Sequence, residues 1–234
     1  MAMNPVRLLK LNLIFLAGAA FLLISLDLRA EDKKSDAGKK PVISLSDKEM
    51  RGIQEKLKSF QYLSVDFTQS TFRSLRKRTT VTTGKAHFSK PDKFRWMLIK
   101  PKADQWIFDG KTLSQYIPDR KEAVSYGSGA NKGKEFRQIV DLVLNFNNLL
   151  ERFTIKSSKK IDHFAEIVLE PKKKGGDIAE AVLKLDLKEN YIKTLQMHFG
   201  HGNHTTLTFN DPRRNPLKDD VFELPKGTKV TRAN

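Results

Sequence analysis

A chain of 234 residues, 39% of them apolar, can fill one good core and is too short to require two full-size domains. The absence of cysteine excludes a disulfide framework, a thiolate nucleophile, an iron–sulfur cluster and a Cys-type zinc site. Lys and Arg number 43 against 27 Asp and Glu, and the formal charge of +16 admits nucleic acid, anionic membrane or lipopolysaccharide as partners without choosing among them.

Residues 1–30 read as an export signal. Arg7 and Lys10 supply a positive start, and Leu11 to Leu26 is a 16-residue apolar run, shorter than the roughly 20 residues of a membrane-spanning helix. Cleavage after Ala30 is expected, which places the protein in the periplasm; Leu28, a poor fit to the small residue wanted there, leaves a retained anchor as the alternative. Loss of residues 1–30 removes three cations and one anion and leaves +14. An exported chain rarely meets DNA, and no helix-turn-helix or aromatic RNA-binding run is present, so nucleic acid is set aside. Residues 31–43 (EDKKSDAGKKPVI) are polar and charged and predict a flexible tether, which leaves 44–234 as a single domain.

The first predicted element is a helix from Asp47 to Phe60. Ser46 and Glu49 form a capping box, Leu45 and Met50 a hydrophobic staple, and Met50, Ile53, Leu57 and Phe60 share one face. From Tyr62 the period changes to two, with Leu63, Val65 and Phe67 on one side. Consecutive antiparallel strands follow: Thr79 to Ser89, a segment in which Phe94, Trp96 and Leu98 alternate with Lys93, Arg95 and Met97, then Gln105 to Phe108 ending at Asp109-Gly110, then Leu113 to Ile117. Gly127 to Gly133 is a break. Phe136, Ile139, Val140, Val143 and Leu144 then fall at helical spacing within Lys134 to Arg152. Strands resume at Phe164 to Glu170, continue through Leu183, Leu185 and Leu187, and close with a hairpin whose arms carry Leu195, Met197, Phe199 and Thr205, Leu207, Phe209. An antiparallel sheet long enough to curl, with two amphipathic helices to cover its apolar side, is an α+β half-barrel.

Motifs for catalysis are missing: G-x-S-x-G, H-E-x-x-H, the P-loop and G-x-G-x-x-G are all absent. Gly127-Ser128-Gly129 matches only a fragment of a nucleotide loop. His198, His201 and His204 invite a metal reading, but Gly200, Gly202 and Asn203 mark a hairpin turn there, and no carboxylate ligand accompanies them. Asp66, Asp104, Asp109 and Asp119 sit at strand edges or turns, where Asp commonly bonds local backbone. No enzyme activity and no cofactor are expected.

A series of segments resembles the LolA family of periplasmic lipoprotein carriers. They are Val65-Asp66-Phe67-Thr68-Gln69, Gly84 to Phe88 leading into Ser89-Lys90-Pro91-Asp92-Lys93-Phe94-Arg95-Trp96, Pro101, Asp109-Gly110-Lys111-Thr112-Leu113, Tyr116 with Pro118, and Phe222 to Thr228. The resemblance implies an incomplete antiparallel β-barrel with an N-terminal inner helix and a helical lid over an apolar cavity, in a monomer without a cofactor. It implies triacylated lipoproteins as cargo, an inner-membrane ABC release complex as donor and an outer-membrane lipoprotein acceptor. By strand parity Leu63, Phe67, Phe94, Trp96, Leu98 and Leu185 point inward, into either a solid core or a cavity; the resemblance makes them, with Leu57 of the helix's apolar face, lipid-binding. It makes Phe136, Ile139, Val140, Val143 and Leu144 the lid. The family's lid-closing Arg falls on Lys90, which keeps the charge without the planar guanidinium fork. A lipid- or lipopolysaccharide-binding sensor on the same fold is the alternative that the basic charge keeps open.

Overall fold

The computed structural model describes residues 44–127, 150–173 and 178–233, all within the unit Lys40–Asn234. The chain enters through helix α1 (Asp47–Lys58), and the capping box forms as the sequence requires. Ser46 Oγ accepts from the Glu49 amide at 3.3 Å while the Glu49 carboxylate accepts from the Ser46 amide at 3.0 Å. The Ser46 amide and the Ser46 hydroxyl, which donates to the same carboxylate at 2.9 Å, hold the Glu49 carboxyl below its ordinary value, and such a cap stabilises a helix by about 1 kcal/mol. The helix stops two residues short of the predicted end, at a cap on Ser59, whose hydroxyl donates to the Lys56 carbonyl at 2.7 Å.

Twelve strands follow among the described residues. They are β1 (Tyr62–Arg73), β2 (Arg78–Ser89), β3 (Lys93–Lys100), β4 (Asp104–Phe108), β5 (Leu113–Ile117), β6 (Glu122–Tyr126), β7 (Phe153–Ile161), β8 (Phe164–Pro171), β9 (Ile178–Asp186), β10 (Tyr191–Phe199), β11 (His204–Arg213) and β12 (Lys229–Ala233). They make one sheet in the order β12-β6-β5-β4-β3-β2-β1-β11-β10-β9-β8-β7, and β12 and β7 remain as its two edges. The sheet is open, in keeping with a barrel left incomplete. One expectation is corrected: the sheet is not wholly antiparallel, because β12 pairs in parallel with β6. Both edges carry cations, Lys156, Lys159 and Lys160 on β7 and Lys229 and Arg232 on β12, which discourage pairing with another chain.

Strand parity sorts the side chains onto two faces. One face gathers the main core: Leu63, Val65 and Phe67 of β1, Phe88 of β2, Phe94 and Trp96 of β3, Leu183 and Leu185 of β9, and Leu207 and Phe209 of β11. Ile53, Leu57 and Phe60 of the α1 region join that core, so the helix packs on this face. A smaller cluster of Ile107, Tyr116 and Ala123, with Leu224 against it, lies on the other face of β4 to β6. The segment after β11 crosses there. Phe222 is buried, and Arg95 donates to the Val221 carbonyl at 3.0 Å and to Gln105 Oε1 at 2.7 and 3.0 Å. The late motif Phe222 to Thr228 thus carries the chain to the edge where β12 adds to the sheet.

Candidate functional site

The centre of the apolar face is built by cross-strand pairing. Phe67 stands opposite Gly84 on β2 and Phe209 on β11; Ala86 stands opposite Trp96, and Phe88 opposite Phe94; Trp96 faces Trp106 on β4. Three rings converge on Trp96, with Phe67 at 4.2 Å between centroids, Phe209 at 6.3 Å and Phe88 at 6.4 Å, the last two edge-on. Phe94 stacks with Phe108 at 5.9 Å and Trp106 with Tyr126 at 5.8 Å. Such pairs add about 0.5–1.5 kcal/mol each beyond the area they bury. Gly84 makes the arrangement possible, since a Cβ there would lie 2.5 Å from the Phe67 ring.

The sequence-predicted residues divide as follows. Leu57, Leu63, Phe67, Phe94, Trp96 and Leu185 are buried in the main core, and Leu98 is half-buried against it. Leu57 and Leu185 also line a groove of about 510 Å³ between α1 and the β9–β10 turn, with Ile53 and Leu187 on its apolar side and Lys160 and Lys188 among its polar residues. Phe136, Ile139, Val140, Val143 and Leu144 lie outside the described residues.

Lys90 lies where β2 ends, at the last turn of α1. Its Nζ donates to the Leu57 carbonyl at 3.2 Å and sits 4.3 Å from the centroid of the Phe60 ring. A cation there satisfies a terminal helix carbonyl and meets the negative end of the helix dipole. Arg214 approaches the same ring, with its Cζ 5.8 Å from the centroid, and donates to the carbonyls of Glu189 and Asn190. Phe60 therefore links α1, Lys90 and the β9–β10 turn.

The face contains a polar feature that the sequence reading did not find. Asp104, read as an acid at a strand edge or turn bonding local backbone, is the first residue of β4 and is buried; its Oδ2 accepts from Gln115 Nε2 at 2.8 Å, and Tyr126 donates to Gln115 Oε1 at 3.3 Å. Period-two parity through Trp106 and Phe108 was the available signal, since it places Asp104 on the inner side. The other three acids behave differently. Asp109 accepts from the amides of Lys111 and Thr112, both at 2.7 Å, as a turn Asp does; Asp66 meets Arg213 at 3.1 Å; and Asp119 lies in the turn after β5. Among the described residues no three His, Cys, Asp or Glu gather as a metal site. His198 and His204 pair across the last hairpin with rings 5.8 Å apart.

Asp104 is the one buried carboxylate among the described residues; Gln115, Thr82 and Thr205 are the other buried polar side chains on this face, and its buried remainder is aliphatic and aromatic. Such a surface binds by dispersion and by removing apolar area from water, without directional anchors.

The family described as "Outer membrane lipoprotein carrier protein LolA" matches residues 58–225. The outer-membrane lipoprotein carrier protein of Chromobacterium violaceum is 28% identical over 172 residues, covering 72% of this chain and 80% of the relative. That of Pseudomonas fluorescens is 23% identical over 202 residues, covering 81% and 95%. In fold the chain resembles the crystal structure of an uncharacterized conserved protein from Thermus thermophilus, with a TM-score of 0.52 at 12% identity over 79% of this chain and 99% of that one. Since the family match runs from the end of α1 through every strand from β1 to β11, and so through the strands that build the apolar face just described, this chain belongs to the LolA family of outer membrane lipoprotein carrier proteins.

Proposed function

We propose that this protein is a periplasmic carrier that shields the acyl chains of lipoproteins released from the inner membrane and delivers them to an outer-membrane acceptor. The observation that carries the reading is the coincidence of the family match with a continuous apolar face holding one buried carboxylate. Relatives in Chromobacterium violaceum and Pseudomonas fluorescens bear the name of outer-membrane lipoprotein carrier, which supports lipoprotein cargo. At about 0.8 kcal/mol per methylene, three long acyl chains represent on the order of 30 kcal/mol of transfer free energy, so free cargo does not cross water at a useful rate. A carrier must hide those chains and still release them. An apolar face suits that task better than charged anchors would.

In this reading Phe67, Phe94, Trp96 and Leu98 meet the acyl chains, with Leu57, Leu63 and Leu185 extending the contact toward α1. The segment containing Phe136, Ile139, Val140, Val143 and Leu144 closes over them, and Lys90 assists closure from the end of α1. An inner-membrane ABC complex loads the carrier, which acts as a monomer. Among the described residues no helix is long and apolar enough to cross a membrane.

The test is release from spheroplasts. The protein should yield a soluble one-to-one complex with a triacylated lipoprotein and none with its non-acylated form. Recovery of both forms alike ends the carrier reading; retention of lipopolysaccharide in place of lipoprotein would favour the sensor.

A further inference from the structure

We propose that the β1–β2 hairpin tip docks on an anionic lipid bilayer, with Leu75 inserting among the acyl chains and Arg73, Arg76, Lys77 and Arg78 meeting the headgroups. Leu75 is 96% exposed, the most exposed large apolar residue among those described. It occupies the centre of a single tight turn, Ser74–Arg76, closed by Lys77 with φ 45°.

The backbone does not demand a leucine. The turn between β5 and β6 is built the same way, Pro118–Arg120 closed by Lys121 with φ 52°, and there the residue corresponding to Leu75 is Asp119. In both turns the closing lysine amide donates to the first residue's carbonyl, at 3.1 and 3.2 Å. A polar apex therefore fits this geometry.

The tip is open on one side and held on the other. β3 runs beside β2 only from Thr83 to Ser89, so Arg78–Thr82 stand about 17 Å beyond its end at a strand's rise per residue, while β11 flanks β1 as far as Phe72. The neighbouring β10–β11 turn clasps the base of the tip: the Ser74 amide donates to Asn203 Oδ1 at 3.0 Å, the Ser74 hydroxyl to the His201 carbonyl, and Phe72 stacks on His204 at 5.0 Å.

Its charge is of one sign. From Phe67 to Pro91 the sequence holds no Asp or Glu, and neither does Tyr191 to Asn210, which includes the clasping turn. Long Arg and Lys stems let the cations stay at headgroup level while an apolar side chain between them goes deeper. An acidic protein partner would reward the charges but leave a lone protruding leucine without a pocket; a bilayer accommodates both. The inference stands whether or not the inner face carries acyl chains.

The experiment is co-flotation of the soluble chain, recovered from the periplasm, with phosphatidylethanolamine vesicles containing phosphatidylglycerol, against phosphatidylcholine vesicles. Binding should need the anionic lipid. Leu75→Ser should weaken it about fivefold or more, and Arg76→Gln with Lys77→Gln should weaken it by a similar factor per charge. Leu75→Trp should keep binding and shift the indole emission to the blue. Arg120→Gln with Lys121→Gln, which removes the same charge from the other turn, should leave binding near the parent's. Equal binding to both vesicle types, or a matching loss from the second turn, would overturn the proposal. So would full binding by Leu75→Ser, which would show that the cations adsorb to the headgroups without insertion of Leu75.

Discussion

His87 faces away from the apolar side of the sheet, among Arg95, Arg213 and Lys85, with Ser64 Oγ hydrogen-bonded to its Nδ1 at 2.8 Å. Burial, followed by those three cations and opposed by Asp66, holds the imidazole below its ordinary value of 6.5. The unfolded chain therefore binds this proton at a higher pH than the folded one. Stability from this group is complete above pH 6.5 and declines as pH falls from there toward the depressed folded value. The thermal midpoint should drop as pH falls below about 6.5, and His87→Gln should flatten that slope. An unchanged slope in the variant would assign the acid sensitivity to another group. Lys90 is the second case at this scale. The sequence marks it only as a family position, whereas its nitrogen meets the Leu57 carbonyl and the Phe60 ring, a contact that depends on how α1 ends and that no local pattern announces.

At the level of elements, the β1–β2–β3 crossing depends on Gly84. A β-carbon there would fall 2.0 Å from the Met97 carbonyl oxygen, a backbone atom that cannot step aside. Gly84→Ala should lower stability by about 3 kcal/mol or more in chemical denaturation, since overpacking and a displaced strand act together. Phe67→Leu should not rescue it, because the carbonyl clash remains; rescue would locate the conflict at the ring instead. Elements with a single clear period were legible from sequence. The capping box of α1 and the alternation of β1 and β3 each bury one face, so composition reports the geometry directly. Three strands were missed for physical reasons. β6 has Ala123 in the small outer cluster and Tyr126 in the main core, and burial on both faces erases alternation. β7 is a lysine-bearing edge with a register shift between Ile155 and Ser157, which breaks the period. β12 is short and largely exposed, and only its pairing with β6 identifies it.

Among the described residues, an open sheet of twelve strands presents one apolar face that draws on nearly every strand, with Asp104 as the one buried carboxylate on it. The inward set was legible because parity carries across a ladder: once β1 is phased, its partners follow residue by residue. The Asp104–Gln115–Tyr126 chain was not legible, because it joins three strands and each member looks ordinary alone. The central claim is that acyl chains contact this face, and Trp96 lies at its centre as one of only two tryptophans. In a Trp106→Phe chain, a triacylated lipopeptide brominated along its acyl chains should quench Trp96 emission to an endpoint at one equivalent, and the unbrominated lipopeptide should not. Stoichiometric binding of the brominated lipopeptide with Trp96 emission unchanged would contradict the account.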